Sequence, residues 1–104
     1  MDYKITKPAL IFDDQRLYVL AAEICNLSLN QLKSILEDFE NIFKKKYTSS
    51  SFGYHTSLVS FDENVSSVEY HDEFIMELNS KELYDVLIDW YDKYSKWELI
   101  MNQS

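Results

Sequence analysis

Three side chains in this sequence could act as a nucleophile or a general base, namely Cys25, His55 and His71. Nucleophilic catalysis needs a nucleophile, a base and an orienting group that converge on one site. Cys25 lies in an apolar helical pattern with Ala21 and Ile24, which is typical of a buried, unreactive thiol. The histidines fall in a predicted strand and a predicted turn, without a local Cys-His signature. The sequence therefore favours a protein that is not an enzyme.

Metal and cofactor sites are equally poorly supported by the sequence. His71, Asp72 and Glu73 are consecutive, so their side chains point in different directions, and a solvated turn is the preferred interpretation. Gly53 is the only glycine, which excludes a glycine-rich phosphate loop. We expect no cofactor and no metal.

Carboxylates are the side chains that dominate the chemistry of this chain. The formal net charge is −8. Residues 62–98 contain 11 acidic residues against Lys81, Lys93 and Lys96, so this segment carries the whole net charge and the remainder is neutral. Like charges repel, which makes nucleic acid and anionic membranes poor partners. The charge predicts a basic protein as the partner.

The last predicted helix interleaves these acids with tyrosines. Asp85, Asp89 and Asp92 recur at i, i+4 and i+7, where carboxylates repel one another, and a row with Tyr84 and Tyr91 runs beside them. Tyrosine is favoured at binding hot spots, so we interpret this face as a contact surface. With the acidic turns and strands, the candidate partner-binding residues are Asp62, Glu63, Glu69, Asp72, Glu73, Tyr84, Asp85, Asp89, Tyr91 and Asp92.

Regular elements joined by short polar turns must position these residues. At 104 residues and 46% hydrophobic content, the chain fits one domain, residues 1–104. Helical periodicity predicts helices after Asp14, from Ser28 to about residue 46, and from Asn79 onward. Alternation of apolar and polar residues predicts strands at 54–61, 65–70 and 73–78. A further short strand could precede the helices at 10–12. The order α-α-β-β-β-α predicts an α+β fold with helices on one face of a small antiparallel sheet.

Finer expectations follow from the same patterns. The serine run that follows Thr48, residues 49–51, predicts with it a hinge or loop leading to Gly53. Strict alternation places Phe74, Met76 and Leu78 toward the core. Helical spacing places Trp90 in the core stripe of the last helix.

The compartment can also be predicted from composition. Cys25 is the single cysteine and has no internal disulfide partner. The amino terminus lacks the apolar core of a secretory signal, and no apolar stretch is long enough to span a bilayer. These features predict a cytoplasmic protein.

In length, abundance of Tyr and Trp, single cysteine and the acidic, aromatic stretch at 78–91, the whole chain resembles bacterial toxin-immunity proteins. These are the small acidic inhibitors encoded beside contact-dependent growth inhibition toxins and similar polymorphic toxins. The resemblance implies a cytoplasmic protein that neutralises one cognate toxin domain, often a nuclease, by covering its active site or a nearby surface.

Three alternatives remain open at this stage. A phage or plasmid inhibitor that mimics the charge of DNA would present a similar surface. A structural subunit would bury the row of Tyr84, Ile88 and Tyr91 against a second chain. A small hydrolase would use His71 or Cys25.

Overall fold

The structure, a computed structural model, describes residues 1–6, 9–53 and 57–103, with side chains described as far as residue 99. It has the α+β architecture that the sequence predicts. In chain order the elements are β1 (Tyr3–Thr6), β2 (Ala9–Phe12), a single 3-10 turn (Gln15–Leu17), α1 (Tyr18–Cys25), α2 (Leu29–Phe43), β3 (Ser49–Phe52), β4 (Ser57–Asp62), β5 (Val65–Tyr70), β6 (Glu73–Asn79) and α3 (Ser80–Gln103).

Two antiparallel sheets organise the fold. The larger sheet has the strand order β3-β4-β5-β6, and β1 pairs with β2 in a separate hairpin. Helices α2 and α3 pack against each other, α2 contacts β3, and α3 contacts β5 and β6. Phe39 of α2 stacks on Phe61 of β4 with ring centroids 3.9 Å apart. The helices therefore cover one face of the four-stranded sheet, as the sequence predicts.

Helix α2 begins with a capping box at Ser28, where the sequence predicts that the helix starts. The Ser28 hydroxyl accepts a hydrogen bond from the Gln31 backbone N–H at 3.1 Å, and the Gln31 side chain accepts one from the Ser28 N–H at 2.8 Å. The other end of α2 lies about three residues earlier than predicted. Lys45 has φ of 64°, and the N–H of Lys46 closes the helix end on the carbonyl of Asn41. This turn directs the chain toward β3.

Helix α3 begins where the sequence predicts, because the Asn79 side chain accepts a hydrogen bond from the Glu82 N–H at 3.0 Å. Its predicted core stripe is also confirmed. Tyr94 and Trp97 are partly buried against the core. The fully buried members of the stripe are Leu83, Val86, Leu87 and Trp90.

The serine run is a strand and not the hinge that the sequence predicts. Ser49 to Ser51 belong to β3, which pairs in register with β4. Serine has little preference for strands, but the adjacent Phe52 is only 4% exposed and anchors the segment in the core. The Ser50 hydroxyl also donates to Asp38 of α2 at 3.0 Å. Gly53 does mark the connection after β3, as expected, and a Cβ there would lie 2.2 Å from the Ser57 carbonyl oxygen.

Of the two strands of the amino-terminal hairpin, the sequence predicts only the second. The optional strand at 10–12 is β2, but its partner β1 was not anticipated. Burial of Leu10 and Phe12 against α1 explains why the hairpin forms despite its short strands. The predicted strand at 54–61 is β4 from Ser57 onward, while its first residues and His55 lie outside the described residues.

The predicted orientation of β6 is wrong at Phe74, because the strand contains a β-bulge. Val68 pairs with Met76, whereas the next residue, Glu69, pairs with Phe74, so Ile75 is the extra residue. A one-residue slip moves a side chain to the other face of the sheet. Phe74 is accordingly 61% exposed, although Leu78 is buried as expected.

Candidate partner-binding surface

The carboxylates of α3 do not form the repelling acidic face that their spacing predicts. Asp85, Asp89 and Asp92 are each paired with a lysine four residues away along the helix. The pairs are Lys81–Asp85 at 2.8 Å, Asp89–Lys93, and Asp92–Lys96 at 3.1 Å. The three aspartates are therefore neutralised by lysines, and residues 80–98 keep a formal charge of only −2.

The tyrosines of α3 are also committed to contacts within the fold. The Tyr84 ring lies 5.4 Å from the Phe43 ring and 5.9 Å from the Phe39 ring. Its hydroxyl donates to Glu40 of α2 at 3.1 Å, and burial together with this carboxylate raises the Tyr84 pKa. Tyr91 is half-buried against the core. Of the row proposed for subunit pairing, Ile88 alone is exposed, at 40%.

Asp89 joins the amino-terminal hairpin to α3. Its carboxylate accepts a hydrogen bond from the Tyr3 hydroxyl at 2.9 Å and pairs with Lys93. The Lys93 hydrogen bond, helped by the bond from Tyr3, lowers the pKa of Asp89 below its usual range. Asp89 therefore has a structural role that its position in the sequence did not reveal.

This contact predicts a pH-dependent effect of Asp89→Asn. Because the folded pKa of Asp89 is depressed, its stabilisation is present above the ordinary aspartate pKa of about 3.9 and is lost as pH falls through the folded value. We expect urea melts to show the variant less stable than the parent at pH 7, with the difference shrinking below about pH 3.9. Asp85→Asn, which removes a more exposed pair, is the control and should change stability little. A constant difference at all pH values would contradict this role.

The two acidic turns lie at opposite ends of the sheet. Asp62 accepts hydrogen bonds from the N–H groups of Val65 and Asn64, both at 2.8 Å, and these bonds lower its pKa. At the other end, His71 and Asp72 occupy the two-residue turn before β6, both with positive φ. Since β5 is six residues long, the turns are separated by roughly 20 Å. The candidate residues thus spread around the sheet and α3 and do not form one cluster.

The sheet face turned away from the helices is uncovered, and we call it the open face. Strand alternation and pairing put its residues in cross-strand rows. Leu58, Val65 and Phe74 supply exposed apolar area, between 36% and 61% exposed. The open face comprises Ser49, Ser51, Leu58, Ser60, Asp62, Val65, Ser67, Glu69, Phe74 and Glu77.

The sheet segment, residues 49–79, has no cation of its own to balance the acids of the open face and its turns, although Lys45 lies near Asp62 and Glu63 at one turn. Between residues 49 and 79 the sequence contains six acidic residues and no lysine or arginine. In the described structure none of the six has a salt-bridge partner in this segment. The sheet segment therefore carries a formal charge of −6 out of the total of −8. The six residues are Asp62, Glu63, Glu69, Asp72, Glu73 and Glu77.

Sequence reasoning missed every residue of the open face except Asp62 and Glu69, among them Leu58, Phe74 and Glu77. Leu58 and Glu77 follow the alternation of their strands, and Phe74 is exposed by the bulge. The sequence does contain one feature that indicates this surface, namely the absence of Lys and Arg from residues 49–79. The sheet differs in this from α3, where both signs of charge are present.

A second exposed feature is an apolar groove between β2 and α1, with a volume of about 560 Å³. Ile11 and Tyr18 form its exposed rim, and the half-buried Cys25 lies in its wall. Among the described side chains, no hydrogen bond joins Cys25 to His71, and no group of three His, Cys, Asp or Glu residues could hold a metal ion. Within the part of the chain that the structure describes, every helix is too short or too polar to span a bilayer.

The chemistry of the open face and of the turns that border it is what indicates the function of this chain. No protein-family model matches the chain, and neither a curated protein nor a solved structure matches it.

Proposed function

We propose that this chain is an acidic inhibitor that binds a basic protein domain through the open face. Its biological role is that of an immunity protein, which neutralises a cognate toxin domain in the cytoplasm, and the toxin is a nuclease. The observation that carries the proposal is the sheet segment with six acidic residues and no cation of its own. The aspartates of α3 contribute little, since each has a lysine partner.

A nuclease is the class of toxin that suits this surface. Nucleases bind phosphodiesters through lysine and arginine side chains, so their substrate-binding surfaces are basic. Exposed carboxylates on a sheet present complementary charge to such a surface and would also accelerate association. The exposed side chains of Leu58 and Phe74 supply the apolar contact area that an interface needs in addition to complementary charge.

The size of the open face indicates which other residues take part. Four strands spaced about 4.8 Å apart and about 20 Å long cover roughly 14 Å by 20 Å. A stable interface buries about 800 Å² on each partner, which exceeds this area. The bordering turns must therefore join the interface. Glu63 and Asp72 lie on these turns, and Glu73 begins β6 directly after one of them. These residues form the acidic rim around the apolar centre.

The test is protection of growing cells. The proposal predicts that a large protein with a basic carboxy-terminal domain is encoded beside this chain's gene, and that domain would be expressed alone and together with the chain. We expect growth arrest in the first case and normal growth in the second. The purified proteins should form a stoichiometric complex whose association rate falls steeply with salt, because exposed charges are screened over about 8 Å at physiological ionic strength. A complex without protection would contradict the inhibitor role, and the absence of a complex would contradict the proposal as a whole.

A further inference from the structure

One cross-strand row of the open face differs from the others in its composition. Leu58 of β4 pairs with Glu69 of β5, and Glu69 pairs with Phe74 of β6. Paired residues of antiparallel strands point to the same face with their Cβ atoms about 4.5–5.5 Å apart. A carboxylate therefore lies between an exposed aliphatic and an exposed aromatic side chain. The neighbouring row consists of Ser51, Ser60, Ser67 and Glu77 and has no aromatic member.

Among the described residues, Glu69 is the only carboxylate of the open face that pairs with two apolar side chains. Its residue is half-buried, and within the described structure its carboxylate has no hydrogen bond or salt bridge. Asp62, in contrast, uses its carboxylate to hold the turn after β4. Glu69 is thus available for a cation from outside the chain.

The bulge in β6 completes this arrangement. Without the bulge, strict alternation would place Phe74 on the side of the helices together with Met76. With it, an aromatic ring is placed beside Glu69 and is 61% exposed. The bulge thus exposes the phenyl ring of Phe74 next to the unpaired carboxylate of Glu69, where strict alternation would have buried it.

We propose that this row is a binding site for an arginine side chain of the partner. The guanidinium pairs with the Glu69 carboxylate and stacks on the Phe74 ring, and the methylene stem lies against Leu58. A planar guanidinium suits both contacts, since it bonds carboxylates in a fork and stacks on aromatic faces. A lysine ammonium is a more strongly hydrated point charge and gains less from the ring. The inference rests on the proposed function, because it assumes that a basic protein docks on the open face.

The test compares hexa-arginine and hexa-lysine peptides, which have equal charge. Each would be titrated into ¹⁵N-labelled protein and followed by chemical-shift changes. We expect hexa-arginine to bind about two- to fivefold more tightly, as a cation–π contact at an exposed site provides. The largest shifts should fall at Leu58, Glu69 and Phe74.

Three variants test whether the preference for arginine comes from the row of Leu58, Glu69 and Phe74. Phe74→Leu, at an exposed position, should keep the fold and lose the preference for arginine. Glu69→Gln should weaken hexa-arginine more than hexa-lysine. Glu77→Gln, the matched control, should weaken both peptides equally and leave their ratio unchanged.

The outcomes separate this inference from the proposed function. Equal affinities of the two peptides, with shifts across the open face, would overturn the arginine site and leave a basic partner supported. Shifts centred on α3, or no binding of either peptide, would overturn both. An arginine preference that survives Phe74→Leu would overturn the stacking contact and with it the site.

Discussion

Replacing Trp90 with alanine is expected to lower the free energy of unfolding by about 3–5 kcal/mol. Trp90 is only 1% exposed, and its ring lies 5.7 Å from the Tyr94 ring and 5.9 Å from the Trp97 ring. Removing it leaves a cavity where α3 packs on the core. Since small domains are stable by about 5–15 kcal/mol, much of the stability would be lost. Urea melts of parent and variant measure the difference.

A second substitution at the same position provides the control. The indole N–H of Trp90 is buried and has no hydrogen-bond partner among the described residues. Trp90→Phe retains an aromatic ring and removes this unsatisfied donor, which itself costs about 1–3 kcal/mol. We therefore expect Trp90→Phe to cost roughly half as much as Trp90→Ala, or less. An alanine variant within about 1 kcal/mol of the parent would show that Trp90 is not a core residue.

Charge reversal on the open face is expected to weaken partner binding by at least about 100-fold. Close charge pairs at protein interfaces couple by about 1.5–7 kcal/mol each, and about 2.8 kcal/mol corresponds to a factor of 100. The variant is Glu69→Lys with Glu77→Lys, and neither carboxylate has a salt bridge in the described structure that the change would break. Titration calorimetry with the basic toxin domain of the protection experiment measures the affinity.

The matched control makes the same change of charge on α3. Asp85→Lys with Asp92→Lys alters the net charge equally but acts where lysines already neutralise the surface. We expect less than about a tenfold loss, because mutated rim charges mainly change the association rate. If instead the α3 variant loses binding and the sheet variant keeps it, the partner contacts α3, as the spacing of its aspartates first indicated.

Local patterns in the sequence were sufficient to predict the helices and the antiparallel order of the strands that follow one another in the chain. The capping box at Ser28 and the apolar stripe through Trp90 depend on residues three or four positions apart, so they survive folding unchanged. The face on which Phe74 lies could not be predicted. It depends on a bulge, which is fixed by pairing with Glu69 across the sheet and not by the alternation within β6.

The serine strand β3 likewise depends on distant residues. Its backbone pairs with β4 and its Phe52 enters the shared core, so tertiary contacts override the weak strand preference of serine. The neutralisation of α3 is different, because it could have been read from the sequence. Lys81, Lys93 and Lys96 each lie four residues from an aspartate, a spacing that pairs opposite charges as readily as it separates like ones.

The hydrogen bond between Tyr3 and Asp89 has a consequence for how the chain assembles on the ribosome. The two residues are 86 positions apart in sequence. At about 5–20 residues per second, synthesis of the intervening chain takes roughly 4–17 s. During that interval the strands from β3 to β6, whose pairings are between sequence neighbours, can form without the hairpin of β1 and β2. The hairpin can therefore complete its packing only after α3 has been made, so two strands that are synthesised before α3 are fixed in place after it.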